Sequence, residues 1–513
     1  MTHARTPADD APATTAPAPT RPAGAVGGPH DGASPHHARR WLVLVVVAIA
    51  QLMVVLDATI VNIALPSAQK ALGFADTDRQ WIVTSYALAF GSLLLLGGKL
   101  GDLFGRKTTF IVGLVGFAVA SALGGAAESF GVLVGARVLQ GVFGALLAPA
   151  ALATLATTFT DPRERSKAFG VFGAVAGGGS AVGLVLGGAL TEWLSWRWCL
   201  YVNLVFAAAA VVGAVFLLHN TRGVRRPKFD IPGTLLASAG LFCVVFGFAH
   251  AATDGWTDAL TLGAIVAGVV LLVAFVLVQQ RVADPLLPLR VVLSRVRGTS
   301  YLAVGVSAIA IFAVFLFLTY YLQQVKDFSP IVTGLSFLPL TAGIVTASTS
   351  ANIVLLPRFG PRPLVPTGMA LGALGMFLLA RLSPTSSYAG GVLPSLIVLG
   401  LGFGLIFAPA ISSATFGVDR QDAGVASAMV NTMQQVGGSV GTALLSTLAA
   451  SATVRFARTH TRPEEQVLAA VHGYTTAFIL SGSIFVVGAV VTALLLPSGV
   501  LHADQPAAPA AAH

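Results

Sequence analysis

Charge is scarce in this chain: 10% of its 513 residues are Asp, Glu, Lys or Arg, where an ordinary soluble domain carries about 25%. With 55% hydrophobic residues and a mean hydropathy of +0.82, that shortage excludes a conventional water-soluble protein. Cysteine is almost missing. Cys199 and Cys243 are the only two; they lie far apart, in or beside apolar stretches, and build neither a disulfide framework nor a metal site. His219, His250 and His472 fall near the ends of apolar stretches, show no metal-ligand spacing and are expected at interfaces. Also lacking are the alternating segments of about ten residues that mark a membrane β-barrel.

What the chain does have is a series of apolar blocks of about 20 residues, the length that crosses a hydrocarbon core of roughly 30 Å. The expected fold is an all-α polytopic membrane protein. Fourteen blocks can be counted, near 41–65, 80–99, 108–127, 131–155, 167–190, 199–218, 231–251, 259–279, 299–322, 331–355, 364–382, 390–413, 424–449 and 475–496. Longer polar connections bracket the seventh and eighth. The expected layout is a six-helix bundle at 40–220, an inserted helix pair with its linkers at 221–298, and a second six-helix bundle at 299–497. Residues 1–39 and 498–513 are rich in Ala, Pro, Thr or Gly and are expected to be disordered tails; the first has no signal-peptide pattern. Lys and Arg gather in alternate loops, among them Arg106/Lys107, Arg222/Arg225/Arg226/Lys228, Arg358/Arg362 and Arg420, which places both tails in the cytoplasm. That distribution accounts for the net charge of +9 without nucleic acid as a partner.

Of the 21 acidic residues, Asp57 lies deep inside an apolar block, within Leu56-Asp57-Ala58-Thr59-Ile60-Val61-Asn62-Ile63-Ala64-Leu65-Pro66. Hydrocarbon disfavours the charged form of a carboxyl, so such a group is suited to taking up and releasing a proton. Arg137 is the basic residue placed inside a block. It needs an anionic or carbonyl partner, unless it snorkels to the outer interface; Gln140 follows at i+3 on the same face. Thr59 and Asn62 share a face of their helix, with Asp57 roughly 140° from Asn62. That face serves either a substrate or hydrogen bonds between helices.

Gly98-Lys99-Leu100-Gly101-Asp102-Leu103-Phe104-Gly105-Arg106-Lys107 permits a tight turn, and Asp102 and Arg106 are near enough for a charge pair that locks one conformation. It does not complete a phosphate-binding loop, since position 93 is Leu and Leu100 follows Lys99; an ATP-driven pump has no support. Arg358-Phe359-Gly360-Pro361-Arg362 looks like a second, degenerate copy without the aspartate. Gly179, Gly183 and Gly187 recur every fourth residue, with Gly188 adjacent, a stripe for close helix packing. The G-x-S-x-G string at 437–441 lies in an apolar helix, where no hydrolase elbow forms.

The 98–107 loop resembles the signature between helices 2 and 3 of the major facilitator superfamily. The Asp57 segment is similar to a signature of that superfamily's fourteen-helix drug:proton antiporter branch. Arg137-Val138-Leu139-Gln140-Gly141, Trp196-Arg197-Trp198 with Asn203, and Asn431-Thr432-Met433-Gln434-Gln435 are similar to further motifs of the group, and the glycine stripe resembles its antiporter motif with Leu184 in place of proline. The resemblance spans about 41–497. It implies the major facilitator fold, two six-helix bundles plus an inserted pair. It also implies proton coupling by Asp57 and Arg137, and a conformational gate at Gly98, Gly101, Asp102, Gly105, Arg106 and Lys107. A substrate cavity between the bundles has Thr59, Asn62, Gln140, Asn431, Gln434 and Tyr320 as candidates. Phe312, Phe315, Phe317 and Tyr321 near Tyr320 serve either that cavity or helix packing.

The expected function is proton-driven efflux of a lipophilic drug or antibiotic, by a monomer in a bacterial cytoplasmic membrane, with no cofactor and no metal. With no intramembrane acid in the second bundle, a neutral or monocationic substrate suits it better than a dication. A proton-coupled uptake symporter and a non-transporting sensor or scaffold are the alternatives. Catalysis lacks a nucleophile–base pair.

Overall fold

A computed structural model describes residues 35–75, 78–159, 161–219, 230–282, 285–418, 423–459, 462, 465–497 and 499, and within them the regular structure is helical. The long helices are α1 (Pro35–Leu72), α2 (Arg79–Phe104), α3 (Arg106–Gly125), α4 (Phe130–Thr158), α5 (Pro162–Trp193), α6 (Trp198–Leu217), α7 (Ile231–Asp254) and α8 (Ala259–Gln279). After them come α9 (Arg295–Val325), α10 (Pro330–Phe359), α11 (Pro361–Leu379), α12 (Tyr388–Thr415), α13 (Ala423–Thr459) and α14 (Glu465–Leu495). Among the described residues, 12 helices are long and apolar enough to cross a membrane; α2 and α5, of 26 and 32 residues, complete the series. This is a multi-pass membrane protein. The first helix starts at Pro35, inside the expected tail, and α9 starts at Arg295, ahead of the boundary expected at 299. Residues 1–34 and 500–513, Arg222, Arg225, Arg226, Lys228 and Arg420 lie outside the described residues.

Helix ends follow local chemistry. Gly105, at φ 96°, lets α2 turn directly into α3, and Gly360, at φ 71°, does the same between α10 and α11. Asp258 caps α8 by accepting from the Leu260 and Thr261 amides at 2.8 and 3.1 Å; the Thr261 amide above all holds its carboxyl below the usual range. His250 sits between Asp254 (3.2 Å) and Asp258 (3.4 Å), so the interfacial position expected for it comes with two acidic partners.

Two sets of six helices repeat one pattern of contacts. In α1–α6 the packed pairs include α2 with α4, α3 with α4, α1 with α5, α3 with α6 and α1 with α6. In α9–α14 the same pairs recur with eight added to every helix number: α10 with α12, α11 with α12, α9 with α13, α11 with α14 and α9 with α14. The sets meet along α2–α13 and α5–α10. Helices α7 and α8 pack on one another, and α7 also lies against both α2 and α13.

The start of α7 holds a buried acid that its position in a loop disguised. Asp230, 4% exposed, accepts from Gly233 N (2.9 Å), Gln279 Nε2 (2.5 Å) and Leu286 N (3.4 Å), while Gln279 Oε1 accepts from Leu287 N at 2.9 Å. This clip ties both helices of the pair to the segment leading into α9. Replacing Asp230 by Ala strands those donors, at a cost of about 2–3 kcal/mol. Thermal unfolding of the purified variant is expected at a clearly lower temperature than wild type; coincident melting curves would contradict this.

Candidate functional site

Five helices converge on Asp57, which is fully buried midway along α1. Its Oδ2 accepts from Arg137 Nη1 of α4 at 2.6 Å. Its Oδ1 accepts from Gln140 Nε2 of α4 and from Asn203 Nδ2 of α6, both at 2.8 Å. Ser121 Oγ of α3 takes a second Gln140 hydrogen bond at 2.7 Å and one from Asn203 at 3.3 Å. Arg137 is 2% exposed; it points into the bundle and does not snorkel. Its Nε donates to the Ile82 carbonyl of α2 at 3.1 Å, its Nη1 also donates to Gln140 Oε1 at 2.9 Å, and its guanidinium lies 4.3 Å from the centre of the Tyr86 ring.

The local sequence explains the convergence. Arg137 and Gln140 share a face of α4, and Gly141 next to them lets α2 approach, since a Cβ there would lie 2.5 Å from the Tyr86 carbonyl oxygen. Asp57 has three donors for its ionised form. Arg137 keeps two neutral acceptors and an aromatic face if that charge is lost. Opening of the ion pair would therefore not strand the arginine.

The cavity candidates are placed differently. Thr59 Oγ1 donates within its own helix to the Val55 and Leu56 carbonyls (3.0 and 3.1 Å), and Asn62 Nδ2 donates to Ala58 O at 2.9 Å. Gln140 belongs to the Asp57 network. Tyr320 is fully buried where the sets touch: its hydroxyl donates to Gln69 Oε1 at 2.8 Å and its ring lies 4.0 Å from the Arg79 guanidinium. Gln323 Nε2 donates to Ile63 O at 3.0 Å and Ile331 N donates to Glu192 Oε2 at 3.0 Å, at the same end of the molecule, that of Gly73. Asn431 and Gln434 are half-buried on α13. Phe315, Phe317 and Tyr321 pack inside α9–α14, Phe317 against Tyr474 and Phe478, while Phe312 lies against Gly438.

In the 98–107 loop, Arg106 Nη1 donates to Ala153 O (3.1 Å) and Lys107 Nζ to Val215 O (2.7 Å); the side chain of Asp102 lies outside the described residues. Gly98 and Gly101 have ordinary room for a Cβ, whereas Gly97, which the motif does not single out, abuts the backbone of Ala145. The glycine stripe faces α1: Gly179 meets Leu52 and Val55, Gly183 meets Thr59 and Leu56, and Gly187 meets Ile60. Gly188 turns to α10, where a Cβ would lie 2.5 Å from Pro330 O. Asn203, Ser121 and Tyr86 were not anticipated at the site. Asn203 had a signal in the Trp196–Asn203 string; nothing in sequence marks the other two.

Residues 47–442 match the sequence profile of the Major Facilitator Superfamily. The chain belongs to that superfamily. This major facilitator protein is 52% identical over 470 residues to the puromycin resistance protein pur8 of Streptomyces alboniger, covering 91% of this chain and 93% of the relative. It is 37% identical to the tetracenomycin C resistance and export protein of Streptomyces glaucescens, over 82% and 78% of the two chains. Among solved structures it superposes on the POT family transporter PepTSo with a TM-score of 0.65 at 17% identity, over 89% of this chain and 97% of that one. On a D-xylose-proton symporter the TM-score is 0.62 at 14% identity, over 90% and 99%. Those two likenesses carry the fold. As a member of a transporter superfamily with such relatives, the protein is a transporter and not an enzyme.

Proposed function

We propose that this transporter exports a lipophilic antibiotic across the bacterial cytoplasmic membrane in exchange for protons, conferring resistance. The observation that carries the reading is the enclosed Asp57–Arg137 pair at 2.6 Å, an ion pair that one proton can open. Relatives named for puromycin resistance, tetracenomycin C export and cephamycin export support an antibiotic as cargo. No observation favours uptake.

In this reading α2 and α5 also cross the bilayer, making fourteen spans, since about 20 residues suffice. Residues 40–220 and 299–497 form the two bundles, 221–298 carries the inserted pair, and both tails and the Gly105 end face the cytoplasm. The protein works as a monomer, with the proton gradient in place of a cofactor. With Asp57 ionised, its three donors hold α1, α4 and α6 together; a proton arriving from outside releases them, and the bundles rock to expose the cavity on the other side. Gly98, Gly101, Asp102, Gly105, Arg106 and Lys107 act as the gate at the cytoplasmic end. Asn431 and Gln434 are the polar cavity candidates retained, while Thr59, Asn62 and Tyr320 act through packing and closure.

The test is proton flux in inside-out vesicles with an acidic interior. Adding puromycin or a panel of other lipophilic drugs is expected to collapse the gradient in vesicles containing the protein and not in empty ones. Accumulation of a solute by cells, with no drug-triggered collapse, would overturn the export reading.

A further inference from the structure

The two helical sets meet along two seams that the internal repeat makes equivalent, α2–α13 and α10–α5, yet α7 packs against both walls of only the first. It follows α2 along its length: Ser238 Oγ donates to Ser92 O at 2.7 Å, and Phe246 lies 6.0 Å from Trp81. The inserted pair occurs once, and among the described residues the second seam has no such cover.

The walls of the covered seam are polar. Thr84 of α2 and Thr432, Ser439, Thr442 and Ser446 of α13 each have a hydroxyl that is inaccessible to solvent and makes no hydrogen bond among the described residues. At 100° per residue the four α13 positions fall within about 80° of one another, on the face that carries Gln435. That face is turned to α2, because a Cβ on Gly91 would lie 2.9 Å from Gln435 Cβ. Unpaired hydroxyls next to lipid tails have nothing to bond to, whereas protein on the lipid side lets them re-pair or take water when the seam loosens.

The other seam carries fewer such hydroxyls: among the described residues Thr333 Oγ1 of α10, beside Gly334, is one. Gly334 of α10 is pressed on α5, where its Cβ would lie 3.3 Å from Val185 Cα. Val345 lies on nearly the same face of α10, about 20° away by helical phase, and yet is 45% exposed. On α5, Gly178 has open space beyond its Cβ among the described residues, and Val182 is 51% exposed.

We propose that the inserted pair makes lateral access one-sided: α7 closes the α2–α13 seam to lipid, and a lipophilic substrate passes from the bilayer to the space between the sets through the α5–α10 seam. The direction of travel rests on the export reading above; the closure of one seam does not.

Two experiments separate these. The native protein in nanodiscs containing a phosphatidylcholine with a chain-end diazirine is irradiated, and the adducts are mapped by mass spectrometry. Adducts are expected around Val182 and Val345 and not on the 432–446 face of α13; equal yields at both seams would overturn the proposal. In vesicles, Val345→Trp is expected to slow export of puromycin and of a membrane-partitioning bisbenzimide dye by about fivefold or more, the cost of narrowing the passage. Val266→Trp on the lipid face of α8 is the control and retains the wild-type rate. An undiminished rate in Val345→Trp would also overturn the route. If wild type moves neither compound under any gradient, the export reading fails, and the adduct map alone decides whether the seam is closed.

Discussion

Asp57→Asn is expected to abolish drug-driven proton movement and antibiotic resistance while leaving the protein folded. Asn has the shape of Asp and still accepts from Gln140 or Asn203, which donate at 2.8 Å to Asp57. What it cannot do is alternate between a charged and a neutral form. Removing one member of a buried ion pair typically costs about 3–5 kcal/mol. Here part of that loss is offset, because Arg137 retains the Ile82 carbonyl, Gln140 Oε1 and the Tyr86 ring. The measurement is gradient collapse in vesicles alongside thermal unfolding of the purified variant. A folded Asp57→Asn protein that still dissipates the gradient on drug addition would remove Asp57 from the proton path. Asp57→Glu keeps the charge but lengthens the side chain by one methylene, and is expected to retain partial flux.

Gly188→Val is expected to be as damaging, for a mechanical reason. Its Cβ would meet Pro330 O at 2.5 Å and Ile331 Cα at 2.6 Å, backbone atoms that cannot swing aside. The sets then cannot close at the Gly73 end, where Tyr320, Gln323 and Ile331 join them. Export is expected to fall about tenfold or more, in line with the dependence of helix contacts on small residues. A membrane-impermeant maleimide should label Gln323→Cys faster in the Gly188→Val background. Gly263→Val on α8, with nothing within 4 Å of the new Cβ, is the control and keeps wild-type transport and labelling. Equal labelling in both backgrounds would show that this contact does not govern closure.

Patterns that repeat along one helix were legible in the sequence, because their period is the helix's own. The apolar blocks, the 179–183–187 stripe and the Arg137/Gln140 face all follow from 3.6 residues per turn. Asp57 stood out because a carboxyl in an apolar run is rare. Asn203 and Ser121 of its network did not, since they are ordinary polar residues in apolar helices, brought near it from 146 and 64 positions away by packing between helices. Asp230 was missed for the opposite reason: flanked by Lys228 and Pro232 it has the composition of a loop, and only the fold encloses it. Tyr320 is expected from sequence to line the substrate cavity, but whether an aromatic lines a cavity or closes one depends on which helix faces it. That Gly97 and not Gly98 is pinned against α4 is likewise a matter of helix rotation, which a motif does not encode.

The hydrogen-bond network around the Asp57 carboxyl draws on α1, α2, α3, α4 and α6, all members of one helical set. In the proposed mechanism, energy conversion and cargo recognition thus fall on separate surfaces of the same helices. Substitutions that retune which antibiotic is carried can accumulate along the meeting faces without disturbing the powered part. A lineage can inherit the engine intact and change its spectrum of resistance by drift at the seam.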